Sequence, residues 1–214
     1  YYLGPGQPMC ADPSAKLPAV FLGRYLFMAE MTDAEGLKLR PTYHTSPTGK
    51  VPIFGPMYRQ METKLRAAAA LVAEADPLVP ARLKPVFVSE TDPIRWFYHT
   101  ARTEANFYES CQVRDRVLKL AAAASRTADE QSEAATLLRR WWQILQDEKQ
   151  NTEQARPVMA RDMRLDYYYG GDHTFSHGVA VLDAKLKMLT SELNDFLPAV
   201  AARCGVSDKL RNAN

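Results

Sequence analysis

The stretch "ARLKPVFVSETDPIRWFYHTARTEANFYESCQVRDRVLKLAAAAS", residues 81–125, decides the fold. Thr91 or Asp92 followed by Pro93 is a helix-start signal, and from there the chain runs unbroken past Leu120. A short helix or turn is expected just before it. Trp96, Phe97, Tyr98, Phe107 and Tyr108 wrap most of the circumference of such a helix, which predicts burial on more than one side. A helix covered on several sides needs other helices around it.

The flanking sequence supplies them. Upstream, "PMYRQMETKLRAAAALVAEADP" places Met57, Met61, Leu65, Ala68 and Val72 at near-helical spacing, with Pro56 read as a first-turn residue. Downstream, residues 126–171 are rich in strong helix formers, with Thr127 or Asp129 as the cap and Gly170-Gly171 as the stop. Pro157 falls inside that run and removes one backbone donor. The last segment repeats Val179, Leu182, Leu186, Leu189, Leu193 and Phe196 at three-to-four spacing and closes at Gly205. Long helices joined by short connections predict a mainly α protein, an antiparallel bundle over residues 56–214.

Residues 1–55 read differently. Pro and Gly recur ("LGPGQP", "KLP", "RPTYHTSPTGKVPIFGP"), so an irregular segment is expected here, read as the end of a preceding domain lying against the bundle. Within it "LPAVFLGRYLFMAEMT" is strongly apolar; a short helix is expected, a strand and turn being the alternative.

Composition bounds the function. With 214 residues, 46% hydrophobic and 24% charged, the chain can bury a sizeable core. Acids and bases nearly balance at +2, and no Lys/Arg run builds an electropositive face, so nucleic acid is not an expected partner. No apolar run reaches the roughly 20 residues that cross a bilayer, so no membrane span is expected. Cys10, Cys111 and Cys204 contain no CxxC pair and are read as buried free thiols. The chain opens at Tyr1 without an initiator Met, which suggests a processed chain or a piece of a longer one.

Chemistry-bearing residues concentrate in "YYYGGDHTFSHG", residues 167–178. Asp172, His173 and His177 are conceivable ligands, yet the glycines make this segment a loop, and no HExxH accompanies them. The favoured reading is a helix-helix turn in which Asp172 or Ser176 caps the following helix, with Tyr167, Tyr168, Tyr169, Asp172, His173 and His177 available to line a ligand cleft; no metal and no cofactor is implied. His99, Glu104, Asn106, Glu109 and Asp115 lie on the second long helix. Glu104 and Glu109 point about 140° apart, a poor acid/base pair. Trp141 and Trp142 point about 100° apart, so one faces the bundle and the other a neighbour. Glu148, Asn151 or Thr152, Ala155, Met159 and Asp162 form a stripe whose mixture of polar and small residues predicts buried polar groups in need of partners, with Arg161 and Arg164 or the three tyrosines as sources. No nucleophile elbow, phosphate-binding loop, dinucleotide fingerprint or kinase signature occurs.

The residues "DEKQNTEQARPVMARDMRLDYYYGGDHTFSHGVAVLDAKLKMLTSEL" resemble the C-terminal helical region of large bacterial carbohydrate-active proteins of the alpha-glucuronidase-like, barrel-containing type. The matching positions are Glu148, Asn151, Thr152, Ala155, Pro157, Asp162, Arg164 and Leu165, and the resemblance covers about a quarter of the chain. It implies a helical accessory domain of an exported glycoside-hydrolase-like protein, secreted or periplasmic, whose catalytic carboxylates lie on a barrel outside this chain. No catalytic residue is carried over. The turn departs from that pattern, with "YYYGGDHTFSH" where the family has Gly and Glu. The implied partners are a catalytic domain or other polypeptide segment and a carbohydrate. Two other readings stand beside it: an independent helical enzyme or metal site using His99, Glu104, His173 and His177, and a sugar- or protein-binding module using the tyrosines and tryptophans.

Overall fold

The structure, a computed structural model, describes Pro5 and residues 16–17, 29–31, 37–39, 50–166 and 179–207. Its main elements are helices α1 (Lys50–Ala75), α2 (Lys84–Ala122), α3 (Ala128–Arg161), α4 (Val179–Ser191) and α5 (Leu197–Cys204). Short 3₁₀ turns at Asp76–Leu78 and Ala81–Leu83 join α1 to α2. α2 packs against α1, α3 and α5, and α3 also packs against α4, which makes a helical bundle with α2 at its centre. All nine residues 99–107 of α2 are buried, so the helix is covered on every side there, but of the aromatic series that predicted this only Phe107 is fully buried and Phe97 is 52% exposed. In the first quarter of the chain three short strands, β1 (Lys16–Leu17), β2 (Ala29–Met31) and β3 (Leu37–Leu39), form an antiparallel sheet in the order β1-β3-β2. The ends of the apolar segment 17–32 are therefore strand, not helix; residues 18–28 lie outside the described ones.

Helix boundaries differ from the sequence reading where tertiary contacts outweigh local signals. α1 contains Pro56 inside it because the turn around the proline stacks on α2: Tyr58 lies parallel to Tyr108 at 5.6 Å and Phe54 packs against the same ring at 5.5 Å. Its inward stripe is Phe54, Tyr58, Glu62, Leu65, Ala69 and Val72, one position on from the expected one at its start, and Met57 is 56% exposed. α2 starts at Lys84, with Pro85 in its first turn where the missing donor costs nothing, and Pro93 sits inside it. Thr91 is no cap: its hydroxyl donates to the Phe87 carbonyl at 2.7 Å. A proline cannot bond the carbonyl four residues back, here that of Ser89, and Arg164 Nη2 donates to that oxygen at 2.9 Å.

α3 opens on a reciprocal capping box between Thr127 and Glu130. It ends at Arg161, short of the glycine pair, and a 3₁₀ turn at Met163–Asp166 follows. The amphipathic C-terminal run is two helices joined by a π turn, Glu192–Phe196. Pro198 explains the change of register: it has no N–H for the Asn194 carbonyl, and Leu197 N–H donates five residues back to Glu192. α5 stops at Gly205, φ +71°, with Gly205 and Val206 donating to Ala202 and Ala201 as in a Schellman motif.

Two apolar layers fill the interior. The larger gathers Phe107, Cys111, Val117, Leu138, Trp141, Leu145, Val181, Leu189, Leu197 and Val200, among others; the smaller holds Ala155, Met159 and Leu182 under Trp96. Trp141 is fully buried, donates to Ser110 Oγ at 3.1 Å and meets Phe196 edge-on, while Trp142 is only partly buried against the same core. Cys111 and Cys204 are buried free thiols; Cys10 lies outside the described residues.

Candidate functional site

Along α3 the sequence passes from apolar residues 134–145 through a polar band, residues 147–152, to the second apolar patch at 155–159. The polar band faces about two turns of α2, the equally polar residues 99–106, and the two interlock. Glu148, fully buried, is the hub. Its Oε1 accepts from Thr103 Oγ1 at 2.7 Å and from Lys185 Nζ of α4; its Oε2 accepts from Asn106 Nδ2 at 2.9 Å. Thr152, also buried, returns its hydroxyl to the Glu148 carbonyl at 2.8 Å.

Asn151 fixes the next turn. Its Nδ2 donates to the His99 carbonyl and to Thr103 Oγ1, both at 3.0 Å. Its Oδ1 must then accept, which assigns the proton of His99 to Nδ1, donating to Asn151 at 2.8 Å. Burial holds the His99 imidazole below its usual range, with the Arg102 charge adding to that depression against the Asn151 bond. It is a neutral core histidine.

The rim of the band is charged. Arg102 lies along Asp147, its Nε 3.0 Å from Oδ2, and Asn106 Nδ2 donates to the same oxygen at 2.7 Å. Burial works against the Asp147 charge, but these donors outweigh it and hold its carboxyl below the ordinary carboxylate range. Arg59 of α1 reaches Asn106 Oδ1 at 2.9 Å and bridges Glu62 and Glu109 at 2.7 and 3.2 Å. Further along, the buried Asp92 takes two bonds of 2.6 Å from Arg161 and one of 2.8 Å from Arg95. Asp162 binds Arg164 at 2.7 Å, and Arg164 also grips Ser89.

Lys185 is the least expected member. Its side chain is fully buried; burial lowers its pKa, opposed by Glu148 and by the fields of Glu104 and Glu192. It was legible in principle, because Leu182, Lys185 and Leu189 repeat at three-to-four spacing on the inward face of α4. The expected stripe took Leu186, which is only partly buried.

The structure brings together His99, Asn106, Glu148, Asn151 and Thr152 in one network, with Glu104 buried beside it. Glu109 lies on the rim, bonded to Arg59, and Asp115 pairs with Arg114 farther along α2. Arg102, Thr103, Asp147 and Lys185 complete the set and were not singled out from sequence. Tyr167, Tyr168, Tyr169, Asp172, His173 and His177 lie outside the described residues. Among the described residues no three His, Cys, Asp or Glu side chains are placed to hold a metal ion, and no helix is long and apolar enough to cross a membrane.

Chemically, the network is arranged to be occupied. Both oxygens of Glu148 are bonded within the bundle and its side chain is fully buried, so it is not presented to a substrate. A polar core so completely paired specifies which helix lies where, and the penalty for any other register is a buried unpaired group. On the surface a groove of about 550 Å³ between α3 and α4 is lined by Lys149, Glu153, Lys187, Thr190, Asn194 and Asp195, among others, with no aromatic side chain to stack a sugar ring. Comparison of the chain with protein-family models, curated proteins and solved structures finds no match.

Proposed function

We propose that this chain is a helical accessory domain of a larger carbohydrate-active, glycoside-hydrolase-like protein, bracing a catalytic barrel supplied by another segment or polypeptide. The observation that carries the reading is the use made of Glu148, Asn151, Thr152, Asp162 and Arg164, the polar positions of the resemblance. Glu148 and Asn151 tie α3 to its neighbours, Arg164 ties the turn after α3 to α2, and Thr152 and Asp162 bond the Glu148 carbonyl and the Arg164 guanidinium, so all five spend their polar atoms on partners inside the bundle. Such residues serve as scaffold. The carbohydrate class, the bacterial origin and the secreted or periplasmic location rest on the resemblance alone.

A second feature suits a domain that packs against another. Ile53, Met57 and Leu71 are 59%, 56% and 65% exposed. At 100° per residue they fall within about 40° of one another on α1. Val86 and Phe97 form a similar outward pair on α2. Apolar side chains aligned in this way suit burial against a neighbour. In the proposed assembly Tyr167, Tyr168, Tyr169, Asp172, His173 and His177 are the residues that bind the carbohydrate.

The test is to place Met57→Glu and Leu71→Glu in the native gene product. The bundle should keep its helical circular dichroism and unfolding midpoint while it separates from its partner segment on size exclusion after limited proteolysis. Retention of the partner by the folded double variant would overturn the assigned face, and absence of any partner segment would overturn the reading.

A further inference from the structure

Ile53, Met57, Gln60, Lys64, Ala67, Leu71 and Glu74 follow one another along α1 at alternating separations of four and three residues, and all of them are exposed. A mean spacing of 3.5 keeps one stripe facing a second helix as the two wind around each other, whereas an isolated straight helix drifts away from it by about 20° per heptad. The stripe ends on Leu78, 81% exposed, in the turn that follows α1. Beside it Thr63, its hydroxyl turned back to the Arg59 carbonyl at 2.9 Å, and Ala70 keep the surface low. Its charges are uncompensated. Among the described residues neither the Lys64 nor the Glu74 side chain makes an ion pair or hydrogen bond, although Arg59 and Arg66 of the same helix both bind Glu62.

We infer that this face is occupied by a helix of the partner segment proposed above, on which the inference rests. That helix lies along α1 as in a two-stranded coiled coil, apolar where it meets Ile53, Met57 and Leu71 and acidic where it crosses Lys64. A barrel suits the role because its outer surface is a ring of helices. A strand repeats every second residue and would not follow the stripe. A lysine in such a seam costs stability unless a carboxylate meets it, so Lys64 selects among the helices that fit the apolar positions. A second copy of α1 meets these needs less well. Parallel and in register, it sets Lys64 against Lys64. Antiparallel, the register that joins Ile53 to Leu71 gives Lys64 only Gln60, and the register that gives it Glu74 leaves Ile53 and Met57 beyond the end of the other α1.

Met57, Lys64 and Leu71, each replaced singly by the photo-crosslinker p-benzoylphenylalanine in the native gene product, test the geometry from exposed positions that leave the core intact. After irradiation, peptide mass mapping should place the three crosslinks in one run of the partner segment, about seven residues apart and in consistent order. Crosslinks at alternate residues, scattered over loops, to a second copy, or to residues 1–49 of the same chain would overturn the inference while leaving the partner in place. Absence of any partner polypeptide would overturn both the inference and the reading it rests on. The charge is read separately. Lys64→Glu should speed release of the partner segment after limited proteolysis by at least roughly three-fold over Lys64→Gln, with helical circular dichroism unchanged in both. Equal release rates would overturn the acidic complement.

Discussion

Replacing Lys185 by Met removes the cation from a pair whose members are both fully buried. The thioether fills much of the same volume, so the main consequence is electrostatic. Glu148 keeps its bonds from Thr103 at 2.7 Å and Asn106 at 2.9 Å but loses its ion-pair partner in a dry site. Removing one partner of a buried pair costs about 3–5 kcal/mol, a large part of the roughly 5–15 kcal/mol that holds a domain folded. Glu148→Gln should cost less, because Lys185 remains in the field of Glu104 and Glu192. The double variant has neither charge, and it should be more stable than the sum of the two losses implies by at least about 1.5 kcal/mol. Urea unfolding at neutral pH followed by tryptophan fluorescence reads all four proteins. With a slope of about 2 kcal/mol/M, the Lys185→Met midpoint should fall by about 2 M. Additivity of the two substitutions within about 0.5 kcal/mol, or a neutral Lys185→Met, would refute the coupling.

Other consequences are equally specific. His99 is held neutral by burial in the folded state while the unfolded chain takes up a proton near pH 6.5, so stability should fall as pH drops from about 6.5 through the depressed folded value. Urea midpoints between about pH 8 and about pH 5.5 should show that slope, and His99→Gln should flatten it. Asp92→Ala leaves Arg161 and Arg95 without their buried acceptor and should cost about 2–4 kcal/mol in the same assay. Pro93→Ala restores a donor for the Ser89 carbonyl; the midpoint lost on Arg164→Ala should then be smaller in the Pro93→Ala background than in the parent, and an equal loss would contradict the proposed division of labour.

Much of this architecture was legible because the long helices carry their own punctuation. Thr127, one of the two caps the sequence offered, starts α3, Gly205 ends α5, and the aromatic groups at 96–98 and 107–108 mark the central position of α2. The prolines misled at three places. Pro56 and Pro93 read as starts, yet both lie inside helices, because ring stacking on Tyr108 in one case and an arginine bridging from after α3 in the other offset the lost backbone bond. Pro198 imposed a π turn where periodicity alone predicted one continuous helix.

The candidate site was half visible. The stripe Glu148, Asn151 and Thr152 stood out because polar groups among Ala and Met must be buried and paired, and all three are. Of their side-chain partners on α2, Asn106 was already a candidate but Thr103 was not: it lies 45 positions before Glu148 and 48 before Asn151, and only the α2–α3 register brings it opposite them. Lys185 was hidden for another reason. A lysine on an amphipathic helix is ordinarily solvated, so its place between Leu182 and Leu189 carries little weight until the carboxylate partner on another helix is seen.

The central claim is that this bundle supports a larger protein, and the intact mass of the native gene product, measured with its size-exclusion volume and co-purifying chains, tests it most directly. The account predicts the bundle joined to a substantially larger polypeptide or held tightly by one. A stable, solitary 24.1 kDa species would contradict it.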